Sequence, residues 1–234
     1  MVLARDGSLI GAIGKQWRTS ISIKTVPRYL PAAFVAVEDR RFYQHDGVDL
    51  MGIAGALKGK ILGENRGGAS TITQQLVGNM HPDLIDRRDI TFGRKLREQS
   101  AAREMERHYT KELILESYLN QISFGHGWYG VEAAARHYFG KNAANLSLAE
   151  SATLAALPKG PAVYDPAKNA DRAKNRRNAI LDLLVGQKFV TRTDADAAKS
   201  QRGVTGPHAG MAAPSKYSSD VVQVRVERAE RPMR

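Results

Sequence analysis

The stretch from Phe92 to Ile122 constrains the fold more than any other part of the chain. Ile114, Leu115, Tyr118, Leu119 and Ile122 recur at the spacing that lines up side chains on one helical face. Upstream, Glu98, Ala101, Ala102, Met105 and Tyr109 share a second face at the same period. No segment of comparable length alternates with the period of two that a half-buried strand needs. A helical stripe of this kind is buried against other helices, so the fold class is mainly α.

Other segments follow the same logic. A helix starts near Pro31, where proline suits a first turn. It runs through the apolar residues 32–37 and ends on Glu38-Asp39-Arg40-Arg41. Residues 48–62 are apolar but carry three glycines and two lysines, which makes a loose amphipathic helix. Gly67-Gly68-Ala69 reads as a turn. Thr71, with Gln74 three residues on, has the form of a capping box and starts the next helix. Further helices are expected at 129–138, 147–157 and 169–186, with Pro158 and Pro161 closing the second. Asp6-Gly7 is a hairpin turn signal, so residues from Val2 to about Ile23 read as a short β-hairpin. Beyond Gln201 the composition shifts to Gly, Pro, Ser and charge, a linker-like tail with at most one short strand at 221–226. The expected division is 1–26 hairpin and linker, 27–200 the main domain, and 201–234 the tail.

With 234 residues and 42% hydrophobic content, one sizeable core is within reach. There are no cysteines, which excludes disulfides, Cys-bound zinc and thiol catalysis. A net charge of +11 points to an anionic partner, whether nucleic acid, membrane surface or phosphate-bearing substrate. No apolar run reaches the length of a membrane-spanning helix, and residues 1–14 lack a signal-peptide layout. Any membrane anchor is expected outside these residues.

Two glutamates stand out as chemistry. Glu38 closes an apolar run, where partial burial raises a carboxyl pKa and suits a general base. A solvated helix-end charge fits the same spacing, and on spacing alone is the commoner case. Glu98 lies on a semi-apolar face one turn after Arg94, as a structural ion pair or a functional acid. Two such carboxylates in one small α domain fit glycosyl chemistry. Backbone N–H groups at the helix start near Ser70 and Thr71 offer an anion site, or an ordinary N-cap. Arg87-Arg88, Arg94-Lys95-Arg97 and Lys174-Arg176-Arg177 are basic clusters, either phosphate holders or solvated faces. No HExxH, GxSxG, Walker-type, SxxK or KTG motif is present.

In order along the chain, five segments carry a resemblance. They are Glu38–Gly47, Gly67–Leu76, Arg94-Lys95-Leu96-Arg97-Glu98, Leu115–Asn120 continuing through Tyr129–Ala135 to Tyr138–Lys141, and Leu146–Glu150 through Leu157-Pro158 to Tyr164-Asp165-Pro166. Together, over roughly residues 27 to 192, they resemble the family-51 peptidoglycan glycosyltransferases. These are the transglycosylase domains of class A penicillin-binding proteins and of monofunctional transglycosylases. The resemblance implies a mainly α, lysozyme-like head with a smaller membrane-facing jaw that includes residues 48–66. It implies a lipid-linked glycan diphosphate as donor and lipid II as acceptor. By the same analogy Glu38 is the base that deprotonates the acceptor hydroxyl, which attacks with inversion to give a β-1,4 link. Glu98 assists departure of the lipid diphosphate, directly or through a divalent cation such as Mg or Mn. Arg41, Ser70, Thr71, Gln74, Gln75, Arg94 and Lys95 are the expected substrate and diphosphate contacts. The implied place of work is the outer face of the bacterial cytoplasmic membrane, within a cell-wall synthesis complex.

The chain departs from the family pattern twice, carrying Gly78 for a lysine and Gly55 for an arginine. Each missing cation removes a charge-assisted hydrogen bond of roughly 1.5–3 kcal/mol. Two other readings therefore stay open: an impaired homologue that binds lipid II, and a lysozyme-like glycan hydrolase. Nucleic-acid binding lacks any aromatic-basic interleaving to support it.

Overall fold

The computed structural model describes residues 2–3, 9–11, 17–63, 68, 70–81, 85, 89 and 91–201. Contacts divide the chain into a small unit that begins with Met1–Lys15 and a main unit, Gln16–Met211. In the small unit, β1 (Val2–Leu3) pairs antiparallel with β2 (Leu9–Gly11). The expected hairpin is thus present but shorter than Val2 to Ile23. Trp17–Arg18 instead forms β3, which pairs in parallel with β4 (Trp128–Tyr129), and Ile23–Thr25 is a 3-10 turn. A pairing across that much sequence leaves no local alternation to read.

The main unit is built from helices. They are α1 (Tyr29–Glu38), α2 (Leu50–Ile61), α3 (Ile72–Met80), α4 (Phe92–His108), α5 (Lys111–Gln121), α6 (Val131–Phe139), α7 (Leu148–Ala156), the short α8 (Pro161–Tyr164), α9 (Ala170–Gly186) and α10 (Arg192–Ser200). In α1, Pro31 falls within the first turn, and Leu30, Ala32, Ala33, Phe34, Val35 and Ala36 are all buried. Helix α1 is therefore a core helix rather than an amphipathic one. It packs against α7 and α9, while α3 packs on α4 and α5. Every member of the 114–122 stripe is buried, and Tyr118 meets Phe34 edge-on at 6.3 Å.

The two stripes of the Phe92–Ile122 stretch lie on two successive helices, because Thr110 caps α5 by accepting from the Leu113 N–H. Two features differ from the sequence reading. Tyr109 ends α4 as an exposed residue instead of joining the face of Glu98 and Ala102. Helix α10 was not foreseen; Thr191 caps it through the Asp194 N–H. The tail from 202 onward, with its possible strand at 221–226, lies outside the described residues, as do Gly67, Ala69, Arg87 and Arg88. Among the described residues no helix is long and apolar enough to cross a membrane.

Candidate active site

Glu38 is the last residue of α1, at the edge of the main core. Half-buried there, it loses hydration, and that burial raises its pKa above the ordinary glutamate range. A hydrogen bond from the Gln75 Nε2 (3.0 Å) and the positive charges of Arg176 and Lys159 act in the opposite direction. The net direction remains upward, as a base poised nearer neutral pH requires. Neither Arg176 nor Lys159 stood out in the sequence as belonging to Glu38. Arg176 was visible in a charge run, and its approach to α1 depends on how α9 packs.

Asp39, next along the chain, is buried and does scaffold work. Its carboxylate accepts from the Ile72 N–H (3.0 Å) and sits 3.0 Å from His45 Nε2. Thr71 then donates to the Gly47 carbonyl (2.7 Å) and closes a full capping box with Gln74. Gly47 has φ +80, and a Cβ there would stand 2.6 Å from the Ala102 carbonyl oxygen of α4. Glycine is required for both reasons. The loop after Glu38 is thus sewn to the start of α3 and the middle of α4.

Glu98 is 4% exposed, inside α4. One carboxylate oxygen accepts from Arg94 (2.5 Å) and the other from Lys95. Lys95 also donates to the Ser70 hydroxyl at 2.8 Å. The expected Arg94–Glu98 pairing is present, and Lys95 and Ser70 join it. Segment 70–75 therefore bridges the two carboxylates: Ser70 reaches the Glu98 cluster and Gln75 reaches Glu38.

The remaining sequence candidates fall into two groups. Thr71 and Gln74 are buried, and the Thr71 hydroxyl and the Gln74 side-chain carbonyl hold the capping box. Of the amides that the sequence offered to an anion, the Ile72 N–H is engaged by Asp39 and the Gln74 N–H by Thr71. Arg41 makes a two-point contact with Asp49 (3.1 and 2.6 Å). Burial works against ionised Asp49, but the Arg41 bonds and the Gly52 N–H outweigh it and hold its pKa below the usual range. In the Lys174-Arg176-Arg177 cluster, Arg177 is buried and donates to the Lys199 and Gln201 carbonyls at the end of α10. It is a structural cap, not a phosphate holder. Gly78 is buried in α3, and the Cβ position of Gly55 faces open space.

Residues 6–185 match a family model described as transglycosylase. Penicillin-binding protein 1F of Bacillus subtilis (strain 168) is 36% identical over 230 residues, covering 98% of this chain and 31% of that protein. Penicillin-binding protein 1A of Neisseria lactamica is 42% identical over 201 residues, covering 86% of this chain and 25% of that protein. Among solved structures, penicillin-binding protein 1A from Haemophilus influenzae aligns with a TM-score of 0.51 at 27% identity, over 87% of this chain and 20% of that one. The chain spans between a quarter and a third of the curated relatives' length.

Proposed function

Because the chain belongs to the transglycosylase family, we propose that it polymerises lipid II into β-1,4-linked peptidoglycan strands with inversion at the donor carbon. The observation that carries this reading is the contrast between two carboxylates bridged by one segment. Glu38 is half-buried and raised in pKa; Glu98 is buried between two cations.

In this reading Glu38 takes the proton from the acceptor sugar hydroxyl as that oxygen attacks the donor anomeric carbon. The bond to the lipid diphosphate breaks on the opposite face, and the α-linkage becomes β. Arg94 and Lys95, held in place by Glu98, face the charge that develops on the leaving diphosphate. Preorganised cations of this kind are worth more to the transition state than to the ground state. Ser70 fixes the Lys95 ammonium. A divalent cation such as Mg or Mn, if bound, would be held by Glu98 together with the substrate diphosphate and would offset the leaving-group charge, since magnesium is commonly bound by one or two carboxylates plus substrate phosphates. In this structure each Glu98 oxygen accepts from a side-chain cation, Arg94 or Lys95. The site of action is the outer face of the cytoplasmic membrane, in company with other cell-wall synthesis proteins.

The test is polymerisation of lipid II by this chain in detergent, beside Glu38→Gln and Glu98→Gln. Glycan ladders from the parent that vanish in both variants support the transferase. Binding of lipid II without any polymer would overturn it in favour of the impaired homologue that Gly55 and Gly78 bring to mind. Lysis of purified cell walls would instead identify a hydrolase.

A further inference from the structure

Tyr118 belongs to the apolar stripe of α5 and is fully buried, with its ring edge-on to Phe34. Its hydroxyl nonetheless donates to the Gln75 side-chain carbonyl at 3.2 Å. The same amide donates through Nε2 to Glu38 Oε2 at 3.0 Å. A side-chain amide is polar in opposite senses at its two ends. Turned over, it would present oxygen to the carboxylate, and an ionised Glu38 would face a repulsive lone pair in place of a donor. An O–H aimed at the carbonyl end stabilises the orientation that serves the ionised base.

We infer that Tyr118 is a positioning residue for Glu38, acting through the Gln75 amide to keep a hydrogen-bond donor on the base. This rests on the transferase reading only for its catalytic consequence. Among the described residues, the charged groups that face Glu38 are Arg176 from α9, Lys159 from the turn before α8, and Asp39 next in sequence. Two cations and one anion already act on it. The amide adds a directional contact that none of them supplies. A tyrosine at this place satisfies two demands: the ring fills the core, and the hydroxyl finds a partner as buried phenols do.

The experiment is a carbon-13 NMR titration of the glutamate carboxyls, with the Glu38 signal assigned by its loss in Glu38→Gln. It is run on the parent chain, Tyr118→Phe, Gln75→Leu and the double variant. Tyr118→Phe removes a single oxygen and keeps the ring. It is expected to move the Glu38 midpoint up by roughly half to one pH unit, the equivalent of one modest hydrogen bond. Gln75→Leu moves it at least as far, and the double variant no further than Gln75→Leu, because Tyr118 acts through the amide. In the polymerisation assay the acid limb of kcat follows the midpoint, the rate recovers on the alkaline side, and KM holds. A purely structural tyrosine would lower the rate equally at every pH. An unmoved midpoint in Tyr118→Phe, or additive shifts in the double variant, overturns the inference. A shifted midpoint without polymer in any variant would leave the inference standing and remove the transferase; polymer with an unmoved midpoint does the reverse.

Discussion

Glu38 and Glu98 are the same side chain in different surroundings: burial dominates at Glu38, whose cations make no salt bridge to it, whereas Glu98 is ion-paired on both oxygens. Burial raises the pKa of Glu38, so in the folded state its ionised form is disfavoured relative to the unfolded chain. Below the ordinary glutamate range both states are protonated and no penalty applies. As pH rises through that range the unfolded chain ionises first, and stability is lost. Glu38→Gln is therefore expected to abolish polymerisation yet melt higher than the parent at pH 7, with the gain shrinking toward pH 4. Thermal melts across that interval check it, and a lower melting temperature at pH 7 would count against the raised pKa. Glu98 has both oxygens on cations. If Arg94 and Lys95 stabilise the departing diphosphate, Arg94→Gln and Lys95→Gln each lower kcat by roughly a hundred- to a thousandfold, the size of a lost preorganised donor. Single-turnover rates with saturating lipid II measure this. A loss confined to KM would mean that the cations bind ground state and transition state alike.

At the scale of elements, the site depends on how the loop after α1 is fastened to α3 and α4. Gly47 is the tightest stitch, with φ +80 and no room for a Cβ against the Ala102 carbonyl. Gly47→Ala must strain the loop or push α4 away, and is expected to cost about 2–3 kcal/mol. Thr71→Val loses the cap of α3 and the bond to Gly47, for about 1–2 kcal/mol. Urea denaturation midpoints test both, and equal midpoints to the parent would refute the stitch. The capping box of Thr71 and Gln74 was legible in the sequence because both partners lie within one turn. The stripe on α5 was legible because period survives translation into burial. The break at Thr110 was harder to see, since apolar periodicity carries across it while the cap is one hydroxyl. The β3–β4 pairing and the approach of Arg176 to Glu38 were illegible, because they join distant segments. Arg177 read as part of a charge run, whereas its guanidinium is buried on the carbonyls that end α10. Tyr118 was legible as core but not as a hydroxyl with a task, because a stripe records which way a residue faces and not what its polar tip meets.

On the scale of the whole molecule, a charge of +11 and one bare apolar helix face call for the same surface. In α2 and the residue after it, Leu50, Met51, Leu57, Ile61 and Leu62 are all exposed, Met51 at 75% and Ile61 at 76%. Exposed side chains this large on one short helix, beside Lys58, have the make-up of an interfacial segment that lies along a bilayer. The lipid-linked substrate proposed above would call for that placement, and α2 follows closely on the Glu38–Asp49 loop. The two contributions separate by experiment. Leu57→Ser with Ile61→Ser withdraws roughly 3 kcal/mol of apolar transfer, so partition onto vesicles falls about a hundredfold. Neither side chain is in the core, so the melting temperature is expected to hold. Raising salt from 0.05 to 0.5 M weakens binding to vesicles rich in anionic lipid and leaves the remaining apolar contribution, since screening acts on exposed charges. Vesicle co-sedimentation of parent and double variant reads both effects. Should the double serine variant sediment like the parent, α2 is not the contact, and the charge alone would have to account for whatever binding is seen. Should binding drop while polymerisation in detergent stays intact, α2 positions the domain at the membrane without taking part in the chemistry.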